Sequence, residues 1–264
     1  MRPTAKARRN PALRTAAKLC RQYLKWYGNA SYKPWKNGER WLLEILRGEP
    51  VGTVVDVGAN VGNWAMMAAQ VFTEATVYAL EVVPLTAVEL RTRTAAEPRI
   101  RCLAFGLADH TGTLTLRYHP AASTHSTFTE YPHGWAGERI ECSVVRGDEF
   151  LAREGIERVD FLKLDVEGAE HLVLEGLEEA LSQRRIRLVQ FEYGRVNILT
   201  RFLLRDFYAL FAKHGYVVGK IFPDYVDVRD YDLSDEDFLG PNYLACHRDD
   251  PILRHLRQAS AEPS

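Results

Sequence analysis

Thr53 to Glu81 reads TVVDVGANVGNWAMMAAQVFTEATVYALE, and its order decides the fold. An apolar run, Val54 to Val57, ends in a glycine-rich turn; helix-forming residues follow, and then a second apolar run closed by one carboxylate. That is strand, loop, helix, strand, acid, the opening of a parallel α/β sheet with a nucleoside site at its strand ends. Gly58 and Gly62 lack Cβ, so the turn is free to take positive φ and to lie against a ligand. The helix opening near Gly62 and Asn63 is expected to present unpaired amides and the positive end of its dipole. Glu81 stands where an acid accepts hydrogen bonds from ribose hydroxyls.

The turn also discriminates between nucleoside cofactors. A dinucleotide fingerprint needs three glycines in GxGxxG, whereas this turn runs Asp56, Gly58, Ala59, Asn60, Val61, Gly62 and lacks the third. An acid at Asp56, expected inside the mouth of the site, repels a pyrophosphate and favours the amino and sulfonium cations of S-adenosylmethionine (SAM). The expected cofactor is SAM, held by Asp56, Gly58, Ala59, Asn60, Gly62, Asn63, Glu81, Val82, Asp109 and Asp165.

A second motif, FLKLDVEGAEHLVLEGLEEAL, covers Phe161 to Leu181. Together the two motifs resemble the FkbM-type family of SAM-dependent methyltransferases, in which a DxGANxG turn is followed by a strand ending in DVEGAE. The resemblance covers roughly Thr53 to Val218. It implies a class I methyltransferase Rossmann-like fold, a seven-stranded mostly parallel sheet with helices on both faces. It also implies methyl transfer, most often to oxygen of a small metabolite or a saccharide. Where the family commonly reads EPxP, this chain has Glu81, Val82, Val83, Pro84. Asp109, in FGLADHTG, resembles the family's ALxD segment near the adenine, although an Asp before a turn equally serves as a turn former.

Elsewhere the sequence alternates strand and helix. Strands are predicted at Thr53 to Val57, Thr76 to Leu80, Ile100 to Phe105, Asp160 to Leu164 and Ile186 to Phe191. Helices are predicted at Asn63 to Val71, Leu85 to Ala96, Ala169 to Leu181 and Arg205 to His214. TLTLRYH and RIECSVV alternate with period two and read as an inserted antiparallel pair, and PNYLACH as a last edge strand. The domain organisation is therefore a basic, helical N-terminal extension over 1–38, a catalytic domain over 39–250 and a C-terminal tail over 251–264.

Methyl transfer is an in-line displacement, so the protein chiefly aligns the acceptor, and an alcohol acceptor also needs its proton removed. Asp165 ends the strand beside the first and opens toward the methyl-donor side; the alternative is a helix N-cap. Glu167 fits either role, while Glu170 and Glu175 are expected on an exposed helix face. For the base, His125 sits among Ser123, Thr124, Ser126 and Thr127, with His133, His171 and Glu192 as rivals. The catalytic candidates are His125, Asp165 and Glu192. Glu192 with Asp165 offers two carboxylates to a divalent cation, but no third ligand is evident, so no metal is assigned.

A net charge of −1 gives no overall attraction to nucleic acid. The imbalance is local: no acid precedes Glu39, whereas ten basic residues do. Such an arm suits a membrane surface, an acidic partner or RNA, or is a solvated extension whose aromatics Tyr23, Trp26 and Tyr27 pack on the domain. The competing functions are a nucleic-acid methyltransferase using this arm, disfavoured because no NPPY-like segment follows the fourth core strand, and a non-catalytic SAM-binding partner protein. Four dispersed cysteines without CxxC offer no zinc site. With no apolar run of signal-peptide or membrane-span length, the expected location is the cytoplasm.

Overall fold

The computed structural model describes residues 8–118 and 138–258. Its centre is the run quoted above. β1 (Thr53–Val57) leads through α3 (Asn63–Val71) to β2 (Thr76–Leu80), and the two strands pair in parallel from Thr53 opposite Thr76 to Val57 opposite Leu80. α4 (Pro84–Thr94) then carries the chain out to β3 (Ile100–Leu103), which extends this half of the sheet. The chain returns to the other side of β1 with β7 (Val159–Leu164) and β8 (Ile186–Glu192), both parallel. Strand order reverses between β1 and β7, and that reversal opens a crevice beyond their carboxyl ends.

The sheet has eight strands, where seven were expected. β11 (Asn242–His247) inserts antiparallel between β8 and β9 (Tyr216–Ile221), and β10 (Val226–Val228) adds an edge strand hydrogen-bonded back onto β9. Three residues are too few to carry a periodic signal, which is why β10 is absent from the sequence reading; β9 was not predicted either, and PNYLACH, expected at the edge, lies inside the sheet as β11. The inserted pair forms as expected, β5 (Gly112–Tyr118) against β6 (Glu138–Arg146), with β4 (Gly106–Ala108) as a third, parallel partner.

Helices cover both faces. On one, α5 (Gly147–Arg153), α6 (Glu170–Gly176), α7 (Glu178–Ser182) and α9 (Leu204–Lys213) bury Val55, Leu162 and Phe191. On the other, α2 (Glu39–Ile45) and α3 enclose Val54, Phe161 and Leu188. The remaining short helix, α8 (Asn197–Thr200), follows β8. The single helix predicted over Ala169 to Leu181 is broken at Leu177. The Asp148 carboxylate, from α5, accepts from the Glu179 and Ala180 amides at 3.1 and 3.0 Å and caps a fresh helix there. That cap comes from thirty residues upstream and has no local signature.

The tail drawn at 251 is also revised. α10 (Ile252–Gln258) buries Ile252, Leu253 and Leu256 in the second core, so this part of it packs on the domain; residues 259–264 lie outside the described ones. At the other end, α1 (Pro11–Tyr27) forms the helix of the extension, capped by Asn10 Oδ1, which accepts from Ala12 N at 2.9 Å. None of its residues is buried, so Tyr23, Trp26 and Tyr27 do not pack on the domain. No described helix is long and apolar enough to cross a membrane.

Candidate active site

A cavity of about 640 Å³ opens at the strand-order reversal. Val57, Gly58 and Asn60 wall it after β1, Glu81 to Val83 after β2, Asp165 to Glu167 after β7, and Glu192 to Val196 after β8; Tyr32 closes one side. Gly58 adopts φ +83°, and its amide and that of Ala59 both donate to Leu80 O at 2.9 Å. A Cβ on Gly58 would stand 1.9 Å from Asp165 O, so this glycine lets β1 and β7 end side by side. Gly62, at φ +86°, faces Leu90 and Thr94 of α4 instead. Its amide donates to Ala59 O, and Asn63 Oδ1 accepts from Arg93 Nη2. Ala59, Gly62 and Asn63 are not among the residues that line the cavity, and the missing Cβ of Gly62 lets α3 pack against α4.

Glu81 is the best-defined binding group. Its two oxygens accept one amide each, Asn60 N at 2.9 Å and Val83 N at 2.8 Å, which leaves each oxygen a further lone-pair site. Two adjacent acceptors on a fixed carboxylate at the cavity wall match the two hydroxyls of a ribose. Burial pushes its carboxyl up, while the Val83 and Asn60 amides pull it down. Asn60 Oδ1, also at the wall, is buried with no partner among the described residues. Glu81→Ala is expected to weaken S-adenosylhomocysteine binding by about 2 to 4 kcal/mol, with Glu81→Gln losing less. Equal calorimetric affinity of the wild type for the ribose and 2′-deoxy ligands would remove Glu81 from that role.

Asp56 does not reach the mouth. It is fully buried behind the wall, 3.7 Å from Lys163 Nζ, which pairs with Asp165 at 2.8 Å. Burial raises the Asp56 carboxyl to about 7, against the pull of Lys163. Burial draws the Lys163 ammonium down, but Asp165, Asp56 and Glu39 outweigh it and the net shift is upward. Lys163 thus holds the end of β7, and the sequence reading missed it. A lysine inside the apolar run FLKL, on a strand buried throughout, is the signal that marks such a residue.

The segment DVEGAE forms a tight turn, with Glu167 at φ +51° and Gly168 at φ +101°. Asp165 is not the helix cap: that position falls to Ala169, and the Asp165 carboxylate belongs to Lys163. Glu170, expected on the exposed face, is buried; its Oε1 accepts from Val166 N at 3.1 Å and Gly168 N at 3.3 Å, and burial lifts it to about 7. The turn consumes residues up to 169, so the first helical side chain folds back to satisfy it. Burial, then the charges of Asp165 and Glu170, lift Glu167 to about 8. Glu192 is pushed well above the carboxylate range by burial and by Asp165 and Glu167.

The other candidates separate. Asp109 is exposed, 2.7 Å from His110 Nδ1, and outside the cavity wall, which leaves it as a turn residue. His171 stacks on Phe202 at 5.0 Å, with burial lowering its pKa, and does not line the cavity. His125 and His133 lie outside the described residues. Among the described residues no group of three or more His, Cys, Asp or Glu is placed to hold a metal ion.

A sheet reversal with a fixed carboxylate at the end of β2, and a crevice rich in carboxyl groups, suits a cationic nucleoside. The residues present fit SAM: Glu81 has acceptors to spare, Asn60 Oδ1 is unpartnered, and Asp165, Glu167 and Glu192 line the cavity with carboxyl oxygens. Residues 56–218 match the model of the methyltransferase FkbM domain, and the chain belongs to that family. Among curated relatives, the 31-O-demethyl-FK506 methyltransferase FkbM of Streptomyces tacrolimicus is 30% identical over 200 residues, 64% of this chain and 74% of that one. The hexuronic acid methyltransferase AglP of Haloferax volcanii is 28% identical over 162 residues, 60% of this chain and 64% of that one. A solved methyltransferase FkbM from Methylobacillus flagellatus covers 74% of this chain and 43% of its own, at 17% identity and a TM-score of 0.45. The protein is a SAM-dependent methyltransferase.

Proposed function

We propose that the enzyme transfers the methyl group to a hydroxyl oxygen of a small metabolite or a saccharide unit. The observation that carries this reading is the pair Glu167 and Glu192 at the cavity wall beside Asp165, two carboxyls whose pKa is pushed up by burial and by their neighbours' charges. An alcohol gives up its proton only as it attacks, and the group that takes it works best with a pKa near the working pH. SAM supplies an activated methyl on a sulfonium. Glu81 holds the ribose, the carboxylates favour the cation, and Glu192 accepts the hydroxyl proton at its carboxylate. The relatives support the acceptor class, since one carries 31-O-demethyl-FK506 in its name and the other a hexuronic acid.

Incubation with methyl-labelled SAM and a panel of hydroxylated metabolites and uronic-acid saccharides tests it. The expected product is a labelled ether that survives mild alkali. Label released by alkali would mean a carboxyl acceptor, and label found only in added RNA would overturn the small-molecule reading.

A further inference from the structure

The helix α1 is a surface with no partner in the structure. Leu13, Leu19, Tyr23, Leu24, Trp26 and Tyr27 are all more than half exposed, Trp26 at 74%. At 100° per residue they fall, with Ala16, Ala17 and Cys20, on one half of the helix. Arg14, Lys18, Arg21 and Lys25 recur at spacings of four, three and four, and form one stripe on the opposite half. Seventeen residues make a cylinder about 26 Å long, laid out as an apolar face backed by a cationic one.

We infer that α1 is an interfacial anchor that lays its apolar face into an anionic lipid surface. Charge complementarity selects this occupant. No acid precedes Glu39, so ten of the chain's 34 basic residues sit in the arm, and all 35 acids sit in the rest. An anionic bilayer therefore attracts the arm and repels the body, which orients the molecule. A second copy of α1 would cover the apolar half but leave the cations without a counter-charge, and a nucleic acid would engage the stripe while leaving the apolar half in water. Exposed Trp26 and Tyr27, amphipathic rings at one end of the helix, suit the headgroup level. The anchor is also fixed to the body: Asn29 Nδ2 donates to Asn37 O and Ile221 O, both at 2.8 Å. Tyr32, just beyond it, lines the cavity, so docking holds the cavity mouth at the lipid surface.

Flotation of the full chain with phosphatidylcholine vesicles, and with vesicles that also contain phosphatidylglycerol, tests the assignment. The expected result is flotation with the anionic vesicles only, abolished by high salt, with a blue shift of tryptophan emission. Lys18→Gln, Arg21→Gln and Lys25→Gln together are expected to reduce partition on the order of a hundredfold, at about fivefold per charge. Leu19→Ser with Trp26→Ser should abolish flotation. Every variant is to keep the wild-type thermal shift with S-adenosylhomocysteine, which shows that the fold is intact. No flotation with anionic vesicles, flotation indifferent to these substitutions, or a Trp26-dependent dimer or RNA complex without flotation would each overturn the inference.

Discussion

Gly58→Ala is expected to destabilise the whole domain, by about 2 to 5 kcal/mol, and not to act as a clean binding mutation. Two costs combine. The residue is at φ +83°, where an L side chain loses about 1 to 2 kcal/mol. Its Cβ would also stand 1.9 Å from Asp165 O, a backbone atom that yields only if β1 and β7 separate, and forced overpacking adds about 1 to 3 kcal/mol. The same substitution at Gly62 meets the Leu90 and Thr94 side chains at 2.8 Å, side-chain methyl groups and not backbone, so it should cost less. Urea unfolding without ligand measures both. If Gly58→Ala kept the wild-type midpoint and only lost S-adenosylhomocysteine binding, the ligand rather than the neighbouring strand would be what demands glycine there.

This contrast shows where the sequence was legible. The bounds of β1, α3 and β2 coincide with the predicted ones because each is set by local features: an apolar run, a glycine turn and a capping position. That Glu81 and Asp165 line the cavity was readable because strand ends on one side of a reversal face the crevice whatever the loops do. The reason for Gly62 was not, since Leu90 and Thr94 reach it through a fold that spacing does not encode. Asp56 failed likewise: its apparent place in the turn gave no hint that Lys163, on another strand, would hold it behind the wall. Glu170 has a helical position and a charge, and both argue for solvent; two amides of its own turn decide otherwise. Tyr32 and Arg195 reach the cavity from segments with no periodicity at all.

The most discriminating variant for the chemistry is Glu192→Gln. If this carboxylate takes the acceptor's proton, its loss should lower kcat by about 10² to 10⁴, with S-adenosylhomocysteine affinity nearly intact. The pH profile separates this from a structural role. In the wild type the rate should climb with pH as Glu192 ionises through its raised pKa, and the Gln variant should lack that limb. Stability gives an independent reading of the same group. An unfolded Glu titrates near about 4.3, and the folded value lies above it, so the folded protein binds the extra proton. The group's contribution therefore favours folding at low pH and is lost as pH rises through the folded pKa. Gln carries no such charge, so the variant should be more stable than the wild type at alkaline pH and closer to it near pH 4, a cost accepted for catalysis. A Glu192→Gln enzyme that keeps full activity and the same pH limb would transfer the base to Glu167, whose carboxyl is raised to about 8 at the same wall.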